Sequence, residues 1–159
     1  MSSGKRVMFI LNPIAGHGLN ENIVAVANET LSKYAIESVF KKTEFAGHAT
    51  TLAAEAVRDK VNLVVCVGGD GTVNETAQVL KDSETALAII PTGSGNGLAR
   101  HLRIPMDYKK AIALLIEGKQ VAIDTFLVNG RFAVNLVGVG FDALVAHRFA
   151  ALKVRGLKS

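Results

Sequence analysis

Val64–Glu75 reads VVCVGGDGTVNE. An apolar, β-branched run ends in Gly68-Gly69, an aspartate follows, and then come Gly71 and Thr72. Leu63–Val67 has the length and composition of a strand buried on both faces. Glycines at the mouth of such a strand let a ligand come close to the backbone. The carboxylate among them says that this ligand is not a bare anion. Asp70 would repel one unless a divalent cation lay between them, or unless Asp70 accepted a hydrogen bond from a hydroxyl. Both roles belong to phosphoryl transfer, where positioning and charge stabilisation supply most of the catalysis. Thr72 and Glu75 carry a second reading, because Thr-x-x-Glu is also a capping box that does no more than start a helix.

Working outward, apolar runs at Val7–Leu11, Ile36–Lys42, Leu63–Val67 and Ala86–Ile90 predict strands. Helical spacing predicts helices over Glu21–Tyr34, Ala49–Arg58, Val73–Leu80, Gly97–Leu102 and Tyr108–Glu117, the last with Asp107 as N-cap. The alternation implies an α/β fold, a Rossmann-like open and mostly parallel sheet with helices on both faces. Beyond it, Ala122–Val128 and Arg131–Val137 flank Asn129-Gly130, a strong hairpin signal, and Phe141–Lys153 reads as a helix. The expected organisation is therefore an α/β lobe over residues 1–120 and the beginning of a truncated, antiparallel second lobe over 121–159. Two strands do not make a stable lobe. A fragment is implied, or an assembly such as a homodimer in which another copy covers the edge.

The chain has 159 residues, 49% of them hydrophobic and 20% charged, which suits one folded domain and excludes disorder. The net charge of +4 comes without a dense basic stripe, aromatics are 6%, and no nucleic-acid partner is expected. Arg148, Lys153, Arg155 and Lys158 form a basic end that could face anionic headgroups, though a solvated helix face explains them as well. The single cysteine, Cys66, excludes an internal disulfide and reads as a core residue. No apolar run approaches bilayer length and the start has too short an apolar core for a signal peptide, so a cytoplasmic protein is expected, with peripheral contact at the inner membrane face as an extension.

Glycine-bearing loops follow all four expected strands: Asn12–Gly18, Thr43–Ala49, Gly68–Thr72 and Pro91–Gly97. In an open parallel sheet all four emerge at the carboxyl edge, where ligands bind. Four such loops at one edge point to a phosphate-bearing ligand. There is no GxxxxGK[ST] motif. Gly138–Ala143, GVGFDA, fits the dinucleotide fingerprint and follows an expected strand, but no second βα unit accompanies it. The four histidines show no metal spacing, although His17 and His48 sit in ligand loops.

NPIAG, VVCVGGDGTVNE and PTGSGNGLAR, in this order and spacing, resemble the catalytic domain of the diacylglycerol kinase family, which includes the bacterial lipid kinases and the sphingosine and ceramide kinases. The resemblance covers nearly the whole chain. It implies a two-lobed kinase that binds ATP with Mg²⁺ between its lobes and phosphorylates a lipid hydroxyl, diacylglycerol-like or another lipid alcohol. By position it assigns nucleotide contacts to Asn12, Pro13 and Gly16, to Thr43, to Gly68, Gly69, Gly71, Thr72, Asn74 and Glu75, and to Gly93, Ser94, Asn96 and Arg100. It makes Asp70 the catalytic residue and a metal contact through Mg-ATP. Ser94 stands where the family has threonine, Gly97 where it often has aspartate, and His17 where it often has a basic residue. Such kinases usually run to about twice this length, with the general base of the bacterial members and further metal-associated acids in the second lobe, so this chain alone is expected to catalyse little. Two other readings stand beside this one. An NAD kinase shares the GGDGT logic, and a catalytically silent nucleotide-binding or assembly module would need a partner chain.

Overall fold

The structure is a computed structural model that describes residues 4–151, His17 and Leu19 excepted. Four parallel strands, β1 (Arg6–Leu11), β2 (Glu37–Lys42), β3 (Leu63–Gly68) and β4 (Ala86–Pro91), form one sheet in the order β2-β1-β3-β4. Val7, Phe9 and Leu11 of β1 turn to one face and Met8 and Ile10 to the other, the two-residue period of a strand covered on both sides. Helices α1 (Asn20–Ser32) and α5 (Tyr108–Glu117) cover the first face, with Ile23, Ala27 and Leu31 meeting Ile112 and Leu115. Helices α2 (His48–Arg58) and α3 (Asp70–Leu80) cover the second, and the short α4 (Gly97–His101) completes it beside Cys66 and Val73.

This placement follows from handedness. The β1–α1–β2 crossover runs one way along the sheet, while β2–α2–β3 and β3–α3–β4 run the other. Right-handed crossovers then put α1 opposite α2 and α3. The direction reverses between β1 and β3, so the loops that follow them leave to opposite faces of the sheet and bound a crevice.

Two expectations need correction. Helix α3 starts at Asp70, not Val73. Gly69 is its N-cap, without a side-chain cap, and the Val73 N–H makes the first helical bond to the Gly69 carbonyl at 3.1 Å. Thr72 and Glu75 therefore sit inside the helix and do not form a capping box.

The hairpin is also shorter than its sequence pattern. Strands β5 (Phe126–Val128) and β6 (Arg131–Ala133) pair around Asn129-Gly130, both at positive φ as the tight turn requires. The outer edge of β6 is held by α3. Asn74 Nδ2 donates to the Phe132 carbonyl at 3.3 Å, and the Val134 N–H donates to Asn74 Oδ1 at 3.2 Å. GVGFDA thus follows coil, not a strand, which removes the structural context its fingerprint reading needs. Helix α6 is described over Phe141–Ala151. Lys153, Arg155 and Lys158 of the basic end, and His17, lie outside the described residues. Among those described, no helix is long and apolar enough to cross a membrane.

Candidate functional site

A cleft of about 720 Å³ opens at the β1/β3 crevice. The loops after all four parallel strands line it. The structure brings together Asn12, Pro13, Gly16, Thr43, Gly69, Asp70, Gly71, Thr72, Glu75, Gly93 and Ser94 there. Four other expected contacts lie outside the lining. Gly68 ends β3 beneath Thr72, Asn74 is spent on the hairpin, Asn96 closes its own turn, and the Arg100 guanidinium donates to the Gly95 carbonyl at 2.9 Å.

The two diverging loops are tied across the crevice. Asn12 Nδ2 donates to Thr72 Oγ1 at 3.0 Å, and the Asn12 N–H donates to the Val67 carbonyl at 2.9 Å. Asn12 Oδ1 accepts from the Ile14 N–H at 3.0 Å, an Asx turn that shapes the first loop. On the other side the β3 and β4 loops almost touch. A Cβ built on Gly93 would lie 2.6 Å from the Gly69 Cα, so both glycines are needed for this close approach. Asn96, left-handed at φ 52°, holds the β4 loop in shape. Its Oδ1 accepts from the Gly93 N–H at 3.0 Å and its Nδ2 donates to the Gly93 carbonyl at 2.6 Å.

Asp70 occupies the first turn of α3, where a carboxylate faces the positive end of the helix dipole. Its Oδ1 accepts from the Leu98 N–H at 3.3 Å and from Asn135 Nδ2 at 3.4 Å. Oδ2 has no hydrogen-bond partner among the described residues and remains available at the cleft. Since the helical ladder begins only at Val73, the N–H groups at the start of α3 are left for a ligand. Glu75 has a different task from the one its motif suggested, because its Oε1 accepts from the Gly47 N–H at 3.1 Å and latches the β2–α2 loop to α3.

Sequence reasoning missed several groups. Asn135 follows the hairpin and reaches Asp70 only through the tertiary fold. Thr92 lines the cleft, and its buried Oγ1 has no hydrogen-bond partner among the described residues. Phe45 lines it as an exposed aromatic, and a large apolar residue in a glycine loop was the signal that could have found it. The lining holds the carboxylates of Glu44, Asp70 and Glu75, yet among its described residues there is no lysine or arginine. Nor do three His, Cys, Asp or Glu side chains converge as a metal cage among the described residues.

Comparison with known proteins bears on this geometry. Residues 6–128 match the family described as "Diacylglycerol kinase catalytic domain". The chain is 35% identical over 139 residues to a diacylglycerol kinase of Bacillus subtilis (strain 168), covering 86% of this chain and 46% of that protein. It is 34% identical over 138 residues to one from Staphylococcus saprophyticus, with 86% and 45% covered. A crystal structure of a diacylglycerol kinase from Bacillus anthracis str. Sterne superposes with a TM-score of 0.71 at 30% identity, covering 80% of this chain and 47% of that one. The chain thus spans about half the length of the relatives it matches. With a family match over residues 6–128 and relatives at these identities, the chain belongs to the diacylglycerol kinase catalytic-domain family.

Proposed function

We propose that this chain is the nucleotide-binding half of an ATP-dependent lipid kinase, and that the cleft at the β1/β3 crevice takes ATP as its Mg²⁺ complex. The observation that carries this reading is the electrostatic character of the lining. Among the described residues, the lining that is bounded by glycine loops and a helix N-terminus holds three carboxylate residues and no lysine or arginine. Such a site repels a free polyanion but suits phosphates that arrive with a divalent cation. Thr92, whose buried hydroxyl has no partner among the described residues, adds a polar residue to the same lining.

When bound, Mg²⁺ would neutralise charge on the β- and γ-phosphate oxygens. The chain's own residues do the positioning. Backbone N–H groups at Gly69, Gly71 and Thr72 cradle the phosphates. Asn12, Pro13, Gly16, Thr43, Gly93 and Ser94 hold the rest of the nucleotide from the adjoining loops. Gly68, Asn74, Asn96 and Arg100 act through the shape of those loops. Asp70 is fixed through Oδ1 and presents Oδ2, either to the lipid hydroxyl or to the metal side of the nucleotide. In the transfer, the lipid hydroxyl oxygen bonds to the γ-phosphorus as the bond to the β–γ bridging oxygen breaks, and the hydroxyl proton leaves to a base.

A calorimetric titration with ATP, with and without Mg²⁺, on the chain and on Asp70→Asn, tests this. Mg²⁺-dependent binding weakened by the substitution supports the metal-side role. Metal-independent binding that ignores the substitution overturns the charge argument and leaves Asp70 only the hydroxyl role. No binding of either form overturns the proposal for this chain. A second observation favours dependence on a covering partner. Leu136 is 93% exposed, and Leu127, Val139 and Phe141 are also open to solvent. This chain alone is therefore expected to show little lipid kinase activity, and a robust rate would refute that.

A further inference from the structure

Phe45 and Ile14 are the two exposed large apolar side chains of the cleft lining, 63% and 74% accessible. They come from the loops after β2 and β1, which are neighbouring strands. Phe45 is backed by His48. Their ring centroids are 4.5 Å apart and the planes differ by 3°, so one face of Phe45 is covered and the other left open. His48 itself does not line the cleft.

This platform is held rigidly. The Glu44 N–H donates to His48 Nδ1 at 3.1 Å, and the His48 N–H donates to the Phe45 carbonyl at 3.2 Å. The loop is then anchored to α3 by the Gly47–Glu75 bond at 3.1 Å. An aromatic face open to solvent, backed by a stacked ring and carried on a loop held by three hydrogen bonds, is preorganised for a planar ligand.

We propose that Phe45, stacked on His48 in the cleft that Ile14 also lines, is the platform on which the nucleobase lies. The inference rests on the nucleotide reading and deepens it. The site holds its ligand by the base as well as by the phosphates, and it grips the face of the base, which every base offers. The cleft therefore discriminates a nucleoside triphosphate from bare polyphosphate more strongly than it discriminates ATP from GTP.

The test is titration of the chain with Mg²⁺-ATP, Mg²⁺-GTP and Mg²⁺-tripolyphosphate, for the wild type, Phe45→Ala and Phe45→Trp. Because Phe45 is mostly exposed, its replacement leaves the core intact. Phe45→Ala is expected to raise the Kd for both nucleotides about tenfold, from the usual worth of one base–aromatic stack. Tripolyphosphate affinity stays unchanged and Phe45→Trp restores nucleotide binding. If Phe45→Ala binds ATP as the wild type does, the platform is refuted while the phosphate reading stands. Equal loss of nucleotide and tripolyphosphate also refutes it, because the side chain would then be shaping the loop. If the wild type binds none of the three, the nucleotide reading fails and takes the platform with it.

Discussion

Two glycines of the cleft make opposite predictions. At Gly93, an added Cβ would sit 2.6 Å from the Gly69 Cα and 2.9 Å from Asn96 Oδ1. Carbon atoms rest at roughly 3.5–4.0 Å, so two backbones must part by about 1 Å. Overpacking of this kind costs about 1–3 kcal/mol. Parting the loops also weakens the pair of Gly93–Asn96 hydrogen bonds, each contributing about 1 kcal/mol. Gly93→Ala should therefore destabilise by about 2–4 kcal/mol and lower Tm by on the order of 10 °C for a chain of this size. At Gly71, nothing lies within 4 Å of an added Cβ and φ is not positive. Since Gly71 lies in the first turn of α3, alanine should leave Tm unchanged or raise it slightly. Its Cβ would project into the ligand's space, however, so binding of Mg²⁺-ATP should fall although the fold is intact. Thermal melts by circular dichroism, followed by titration below both transitions, separate the two effects. A Gly93→Ala variant that melts with the wild type refutes the close-approach argument. A Gly71→Ala variant with full affinity refutes the backbone cradle.

Glu75→Gln keeps an acceptor for the Gly47 N–H and should bind Mg²⁺-ATP within about twofold of the wild type, while Glu75→Ala loses the latch and about 1 kcal/mol of stability; equal loss in both would show that the charge matters instead. Asn74→Ala frees the Phe132 carbonyl and the Val134 N–H, so hydrogen exchange should quicken at residues 131–134 but not in β1 or β3; uniform acceleration would contradict this. Burial pushes the Cys66 thiol up from 9.0 to about 12. The folded state therefore holds this proton more tightly than the unfolded one, and the resulting stability is complete below pH 9 and lost as pH rises towards 12. Denaturant titrations should show a fall of about 1 kcal/mol between pH 8 and pH 10 that Cys66→Ala lacks; parallel curves would remove the assignment.

The sheet was legible because its signal is local. Apolar runs such as Val7–Leu11 and Leu63–Val67 are buried on both faces, and that alone gives them their composition. The cleft's place was legible for the same reason, since turn residues collect where strands end. What escaped depended on partners far away in the chain. Thr72 and Glu75 match a capping box, but Asn12 takes the hydroxyl and Gly47 the carboxylate. The hairpin is shorter than its alternation suggests, and the outer edge of β6 is held by Asn74, a contact with no local mark in the sequence. Asn135 carries no local mark at all, and its relevance arises only when β6 packs against α3 and carries it to Asp70.

The same long-range bonds explain why the crevice keeps a usable shape. At a switch point the chain leaves two adjacent strands in opposite directions, so the backbone ladder, which reaches no further than the Asn12–Val67 bond, does not by itself fix the gap between their loops. Here the gap is fixed by side chains and one close backbone contact. Asn12–Thr72 sets one wall, Glu75–Gly47 a second, and the Gly69–Gly93 contact, locked by Asn96, a third. Thr72 and Glu75 lie on the first turns of α3, as does Asp70, and Gly69 is its N-cap. One helix start therefore presents the free N–H groups and also serves as the post to which three loops are tied. Asp70 gains its fixed orientation from the same post, through Leu98 and Asn135. A substitution that loosens this helix start would disturb phosphate cradle, carboxylate and aromatic platform together.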